Sequence, residues 1–174
     1  MTMLGKFTKQ PVEVEVYSNQ YVDDLEPTDH LMTAFAIITR KGAAIWDQAV
    51  QASPYTTLAT DDGRIIVATA NITGYGAAPD GYTLYIANKS QNSAITACGF
   101  PIPARGAMVI RRYSGAWVIE ASTTGVLVDS TGDQRVRTFV SGGVNGTKYE
   151  VQVTVTTNEG RTLQDEFVVS IKEA

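Results

Sequence analysis

Apolar and polar residues alternate at a period of two along most of this chain, a pattern that suits half-buried antiparallel strands and gives helices almost no footing. The reason is geometric: successive side chains of a strand point to opposite faces, so one parity is buried and the other solvated. The clearest pair of strands lies at the C-terminus. Tyr149, Val151, Val153 and Val155 alternate with Glu150, Gln152, Thr154 and Thr156, and Phe167, Val169 and Ile171 repeat the pattern after Asn158-Glu159-Gly160-Arg161. Asn-x-Gly between two such runs predicts a short hairpin, because Gly160 accepts the positive φ that a tight loop requires. Val136 to Ser141 is a further strand, closed by the turn Gly142-Gly143-Val144-Asn145-Gly146. With Gly125 to Val128 as the first, residues 124–174 read as four strands.

The middle of the chain reads as a small β unit of its own. Asp61-Asp62-Gly63 and Pro79-Asp80-Gly81 are turns, and strands are expected over Arg64 to Thr69, Tyr82 to Asn88, Ala94 to Cys98, Ala107 to Tyr113 and Trp117 to Glu120. Ser114-Gly115 joins the last two as a tight hairpin. Short strands so closely spaced imply a compact sandwich or barrel. Ala43 to Val50 is the one stretch with helical character, a turn or two at most. Up to about Asp29 the alternation is interrupted by Pro11, Pro27 and the pair Asp23-Asp24, which predicts an extended arm leading into a strand at Leu31 to Thr39. That arm carries Phe7, Val14, Val16, Tyr17, Tyr21 and Val22 with little local structure to bury them, so it is a candidate for contact with a neighbouring subunit.

Composition narrows the partners. The net charge is −4 and the basic residues are scattered singly, so no stripe exists to release counterions from a nucleic acid backbone. At 44% hydrophobic and 18% charged, the chain has the apolar content of a packed globule. Cys98 is the only cysteine, so no disulfide forms within the chain. No window resembles a membrane helix, and the first twenty residues lack the apolar stretch of a secretory signal.

Catalysis requires convergent titratable groups, and few are offered. His30 is the sole histidine, which removes ordinary Ser-His-Asp and two-histidine metal designs. Cys98 sits in a strand-like run and is expected to be buried and inert. Asp61-Asp62 and Asp23-Asp24 are read as turn chemistry, and Asp129 to Asp133 lacks the spacing of a calcium loop. Neither a cofactor nor a metal is expected. Tyr82, Tyr85 and Trp117 have two readings: core packing, or an exposed surface of the middle unit on which a sugar could stack.

At both ends the residues meet a known pattern. From Thr138 a strand leads into Ser141-Gly142-Gly143, then a Gly146-Thr147-Lys148-Tyr149 turn, a Thr-rich alternating strand, Gly160-Arg161, and a final strand from Glu166 to Lys172. This resembles the signature of phage fiber-tail adaptor proteins, and Lys9-Gln10-Pro11-Val12-Glu13 followed by Tyr17, Tyr21 and Leu25 is similar to that family's opening. The resemblance implies an all-β, Ig-like β-sandwich built from residues 1–40 and 123–174, with residues 41–122 as an inserted small β-sandwich or barrel. It implies a non-enzymatic virion protein, made in the host bacterial cytoplasm, that links tail or neck to fibre as a symmetric homo-oligomer, without nucleic acid or membrane. Phe7, Pro11, Tyr17, Tyr21 and Leu25 become its candidate interface residues. The alternatives in the same frame are a capsid decoration or head-fibre protein and a carbohydrate-binding module for host attachment.

Overall fold

A computed structural model describes residues 2–11, 13–21, 24–43, 48–127 and 134–173, and these form an all-β molecule of three sheets. Strands are numbered in chain order. Sheet A has the order β1 (Thr2–Lys9), β15 (Thr162–Ile171), β14 (Lys148–Thr157), β3 (Leu31–Arg40). Sheet B, seven-stranded, runs β2 (Val14–Gln20), β13 (Arg135–Gly142), β12 (Ala116–Leu127), β11 (Ala107–Tyr113), β8 (Thr83–Asn88), β6 (Ile65–Ala68), β4 (Gln48–Gln51). Sheet C is small: β10 (Phe100–Ile102), β9 (Ile95–Ala97), β7 (Ile72–Thr73), β5 (Tyr55–Thr56). Among the described residues the only helical element is a 3-10 turn at Ala59–Asp61.

Sheet B is the middle layer, and its two faces are covered at opposite ends. Sheet A lies over one face, where Val151, Val153, Val155, Phe167 and Val169 pack with Tyr17, Val136, Val140, Val109, Tyr85 and Ile65. Sheet C lies over the other face at the far end, where Ile72, Ile95 and Ile102 pack with Ile66, Leu84, Ile86, Met108 and Ile110. Strands β6, β8 and the first half of β11 are therefore buried on both sides, and their parities divide cleanly: Ile65 and Val67 face sheet A, Ile66 and Ala68 face sheet C. This explains why Ile65-Ile66-Val67-Ala68 is an unbroken apolar run, as strands covered on both faces are.

The middle block coils. Strands β4, β6 and β8 are neighbouring parallel strands of sheet B, while β5, β7 and β9 are neighbouring parallel strands of sheet C. The chain alternates between the two sheets, giving a flattened three-turn coil that antiparallel β11 and β10 close at one end. Side chains tie successive turns: Asp62 Oδ1 accepts from the Thr83 amide at 2.8 Å, and Asn71 Oδ1 from the Thr96 amide at 2.9 Å.

Three expectations change. The block 41–122 is two-layered, but it is no self-contained insert: the boundary at 122/123 falls inside β12, and Ile65, Val67, Tyr85, Ala87, Ala107 and Val109 belong to the core under sheet A. The N-terminal arm is two strands. β1 pairs in parallel with β15 and β2 pairs with β13, while Pro11 occupies only the turn between them, so the prolines that interrupt the alternation mark a connection. The helical stretch expected over Ala43 to Val50 ends in strand β4, and its residues 44–47 lie outside the described residues. The C-terminal reading holds: Gly160 has φ +81 with its amide bonded to Thr157 at 3.0 Å, and Ser114 and Gly115 both have positive φ, the two-residue hairpin geometry.

Candidate docking edge and buried charge cluster

The most concentrated chemistry lies between sheets A and B. Strand β12 carries a bulge opposite Val109/Ile110, which turns the Glu120 carboxylate inward, where its side chain is fully buried. Arg40 Nε of β3 donates to it at 2.9 Å, the second Arg40 nitrogen and the Tyr149 hydroxyl donate as well, and Arg111 Nε of β11 stands 3.2 Å away. Burial pushes the Glu120 pKa up, but the bonds from Arg40 and Tyr149 and the two guanidinium charges more than offset this, so the net shift is downward. Tyr149 is pushed well above the usual phenol range, by burial first and by its bond to Glu120 second. A carboxylate held ionised by this many donors joins four strands and is a structural group.

The other candidate groups are similarly occupied. Asp61 accepts from the Leu58 amide at 2.8 Å, from Tyr55 Oη at 2.7 Å and from Arg64 at 3.3 Å, which makes the Asp61-Asp62 pair a coil tie. His30 is held through its backbone, its amide donating to Asn158 Oδ1 at 2.8 Å. Cys98 takes φ +50 in the β9–β10 turn and is half-buried, and burial pushes its thiol up to about 12. Among the described residues no three His, Cys, Asp or Glu side chains gather as metal ligands. Asp23 and the loop Asp129 to Asp133 lie outside the described residues. No helix among the described residues is long and apolar enough to cross a membrane.

The aromatic surface expected on the middle unit is corrected. Tyr82 is 2% exposed and donates to the Leu58 carbonyl at 2.5 Å, and Tyr85 is 6% exposed under sheet A. Trp117 is half-buried, edge-on to Tyr82 with ring centroids 5.8 Å apart, with Arg112 over its ring at 5.3 Å. Tyr82 and Trp117 pack together in the core under sheet C and Tyr85 in the core under sheet A, so the three rings form no common exposed face.

The expected interface residues are spread along β1 and β2, with Pro11 before one end of β2 and Tyr21 and Leu25 after the other, and most face inward. Tyr17 and Tyr21 are buried, Leu25 packs half-buried on the core, and Pro11 is half-buried in the turn. Phe7 alone of the five is substantially exposed, at 38%. Its ring lies 4.7 Å from Tyr17 and 5.9 Å from Phe167, and the three rings line a slot of about 210 Å³ opening between β1 and β2. Beside it, Val14 and Val16 project from the uncovered face of sheet B at 61% and 50% exposure. These two valines are among the apolar arm residues expected to contact a neighbour, and their Val-x-Val alternation places them on one face.

Residues 109–170, from within β11 to the penultimate residue of β15, match the family model described as podophage GP4 fiber-tail adaptor protein gp77. The match supports the phage fiber-tail adaptor family. It covers a little over a third of the chain and reaches fourteen residues upstream of the expected boundary at 123, taking in most of the β11–β12 hairpin. The matched segment thus comprises β12 to β15 with most of β11, the strands that carry the Glu120 cluster's carboxylate and phenol and the ladder on which β2 sits. The all-β sandwich described above is compatible with that family, whose model describes a fiber-tail adaptor of podophages. No curated protein matches the chain.

Proposed function

We propose that the chain is the adaptor between tail or neck and fibre in a podophage particle, working by protein contacts and fixed geometry without catalytic turnover. The adaptor match over residues 109–170 is the observation that carries this reading. The architecture supports it. A stiff three-layer body leaves sheet B uncovered on opposite faces at its two ends, one displaying Val14 and Val16, the other displaying Val50 at 71% exposure beside Phe35. One end can bind the tail and the other the fibre, and repetition around the tail axis would make the protein a homo-oligomer in the particle.

Imaging particles assembled without this protein tests the reading. Filled heads with absent or unstable fibres are expected. Particles that keep their fibres but have fragile capsids would replace the adaptor with a capsid decoration protein.

A further inference from the structure

The sheet edges of this molecule are not alike. An unpaired edge strand is a template for another strand, and proteins blunt such edges with short strands, bulges, proline or covering groups. Among the described strands, β5 has two residues and β4 four, β10 has three with Pro101 at its centre, and β1 is broken by a bulge between Met3 and Gly5. Strand β3 is capped: the Gln91 side chain both donates to the Ala34 carbonyl and accepts from the Ala34 amide, each at 3.0 Å, and the Arg105 carbonyl takes the Ala36 amide at 3.0 Å. Among the described residues strand β2 shows none of these devices, and its one charged side chain is Glu15. Its seven residues contain neither proline nor lysine and pair with β13 in unbroken register.

The register also fixes which groups are free. The Tyr21 amide donates to Gln134 directly across the ladder at 2.9 Å, so the odd residues of β2 bond to β13, and the N–H and C=O groups of Val14, Val16, Ser18 and Gln20 point outward. We propose that this edge is completed by an antiparallel strand donated by another virion protein, an inference that rests on the adaptor reading and names the chemistry of the partner. On the inner face, the partner residue opposite Tyr17 lies at the mouth of the Phe7–Tyr17–Phe167 slot and is a large apolar side chain. On the outer face, residues opposite Val14 and Val16 are apolar, and the one opposite Ser18 lies beside Arg137 and is acidic. Arg135 and Arg137 flank the Gln20 end of β2 and form no ion pair among the described residues, while Glu13 and Glu15 mark the other end. The partner strand is charge-complementary when its acidic end meets the arginines.

The probe is a set of short overlapping peptides covering the fibre, tail and capsid proteins of the same particle, titrated by fluorescence anisotropy against the full chain. Amide exchange is followed by NMR. A fibre or tail peptide with this pattern is expected to bind and to slow exchange at Val14, Val16, Ser18 and Gln20 by about tenfold or more, leaving the odd-numbered amides, already protected, unchanged. V16P removes an outward N–H without touching the β13 ladder and is expected to weaken binding at least about tenfold. V16T, which keeps that amide, is expected to bind, and the odd-numbered β2 amides of V16P, still protected by β13, show that its loss of binding is not misfolding. The proposal is overturned if no peptide protects these four amides, if V16P binds as well as the parent, or if the chain self-associates in sedimentation with these amides already protected in the absence of peptide. A capsid peptide that protects the four amides would keep the edge and refute the adaptor reading. Protein seen at the tail–fibre junction with these amides still open would do the reverse.

Discussion

Deleting residues 43–121 and closing the gap with a short turn removes β4 to β11 and the first half of β12, and the remaining chain is expected not to fold. The loss can be worked from the core under sheet A. Ile65, Val67 and Val109 leave that core, each fully buried, and at about 1.5–3 kcal/mol apiece they account for about 5–9 kcal/mol. Tyr85 leaves with them, and Glu120 goes too, which strands the buried Tyr149 hydroxyl and the half-exposed Arg40 without their carboxylate. A domain of this size has about 5–15 kcal/mol of total stability, so the deletion removes most or all of it. Far-UV circular dichroism and urea unfolding of the purified deletion are the assays, with loss of a cooperative transition as the expected result. A steep transition, with a denaturant slope matching the shorter chain, would show that the two ends form an independent sandwich and that the shared core is energetically unimportant.

Replacing Glu120 with alanine is expected to destabilise the fold by about 2–3 kcal/mol in urea unfolding, the buried-pair cost reduced because Arg40 is 41% exposed. Since the folded Glu120 pKa lies below its unfolded value, its stabilisation is present above about pH 4.5 and disappears as pH falls through the folded value; acid unfolding of the parent against E120Q measures that difference. Q91A deletes the two bonds that cap β3, which is expected to cost about 1–2 kcal/mol and to speed aggregation seen by light scattering, because the edge is then open. At Gly143 the backbone has φ +112 and an added Cβ would stand 2.6 Å from Ile171 Cγ1, so G143A is expected to lower thermal stability by about 1–3 kcal/mol, and an unchanged melting temperature would contradict that geometry.

What the sequence revealed depended on whether a strand's two faces differ. Strands β14 and β15 have one face on the core and one polar, so Tyr149 to Val155 and Phe167 to Ile171 could be assigned a buried parity by inspection. Strands β6 and β8 were also found, but being covered on both sides they gave no parity, and hence no sign that Ile65 and Ile66 serve different cores. The coil stayed hidden for a related reason. Register pairs Gln48 with Ile65 and Ile65 with Tyr85, while in sheet C Tyr55 pairs with Ile72 and Ile72 with Ala97, so successive turns differ in length and leave no fixed period to detect. Strand β2 was passed over because Pro11 and the acidic pair after it pointed to an extended arm, yet Val14, Val16 and Ser18 on one parity and Tyr17 and Asn19 on the other form an edge-strand pattern. The same reasoning locates the candidate interface: a strand with one buried parity and an apolar outer one fits the interior of a sheet, and this one ends a sheet instead. A strand laid along β2 would cover Val14 and Val16 and pair the outward amides beside them in one step, which is why the proposed partner is a strand.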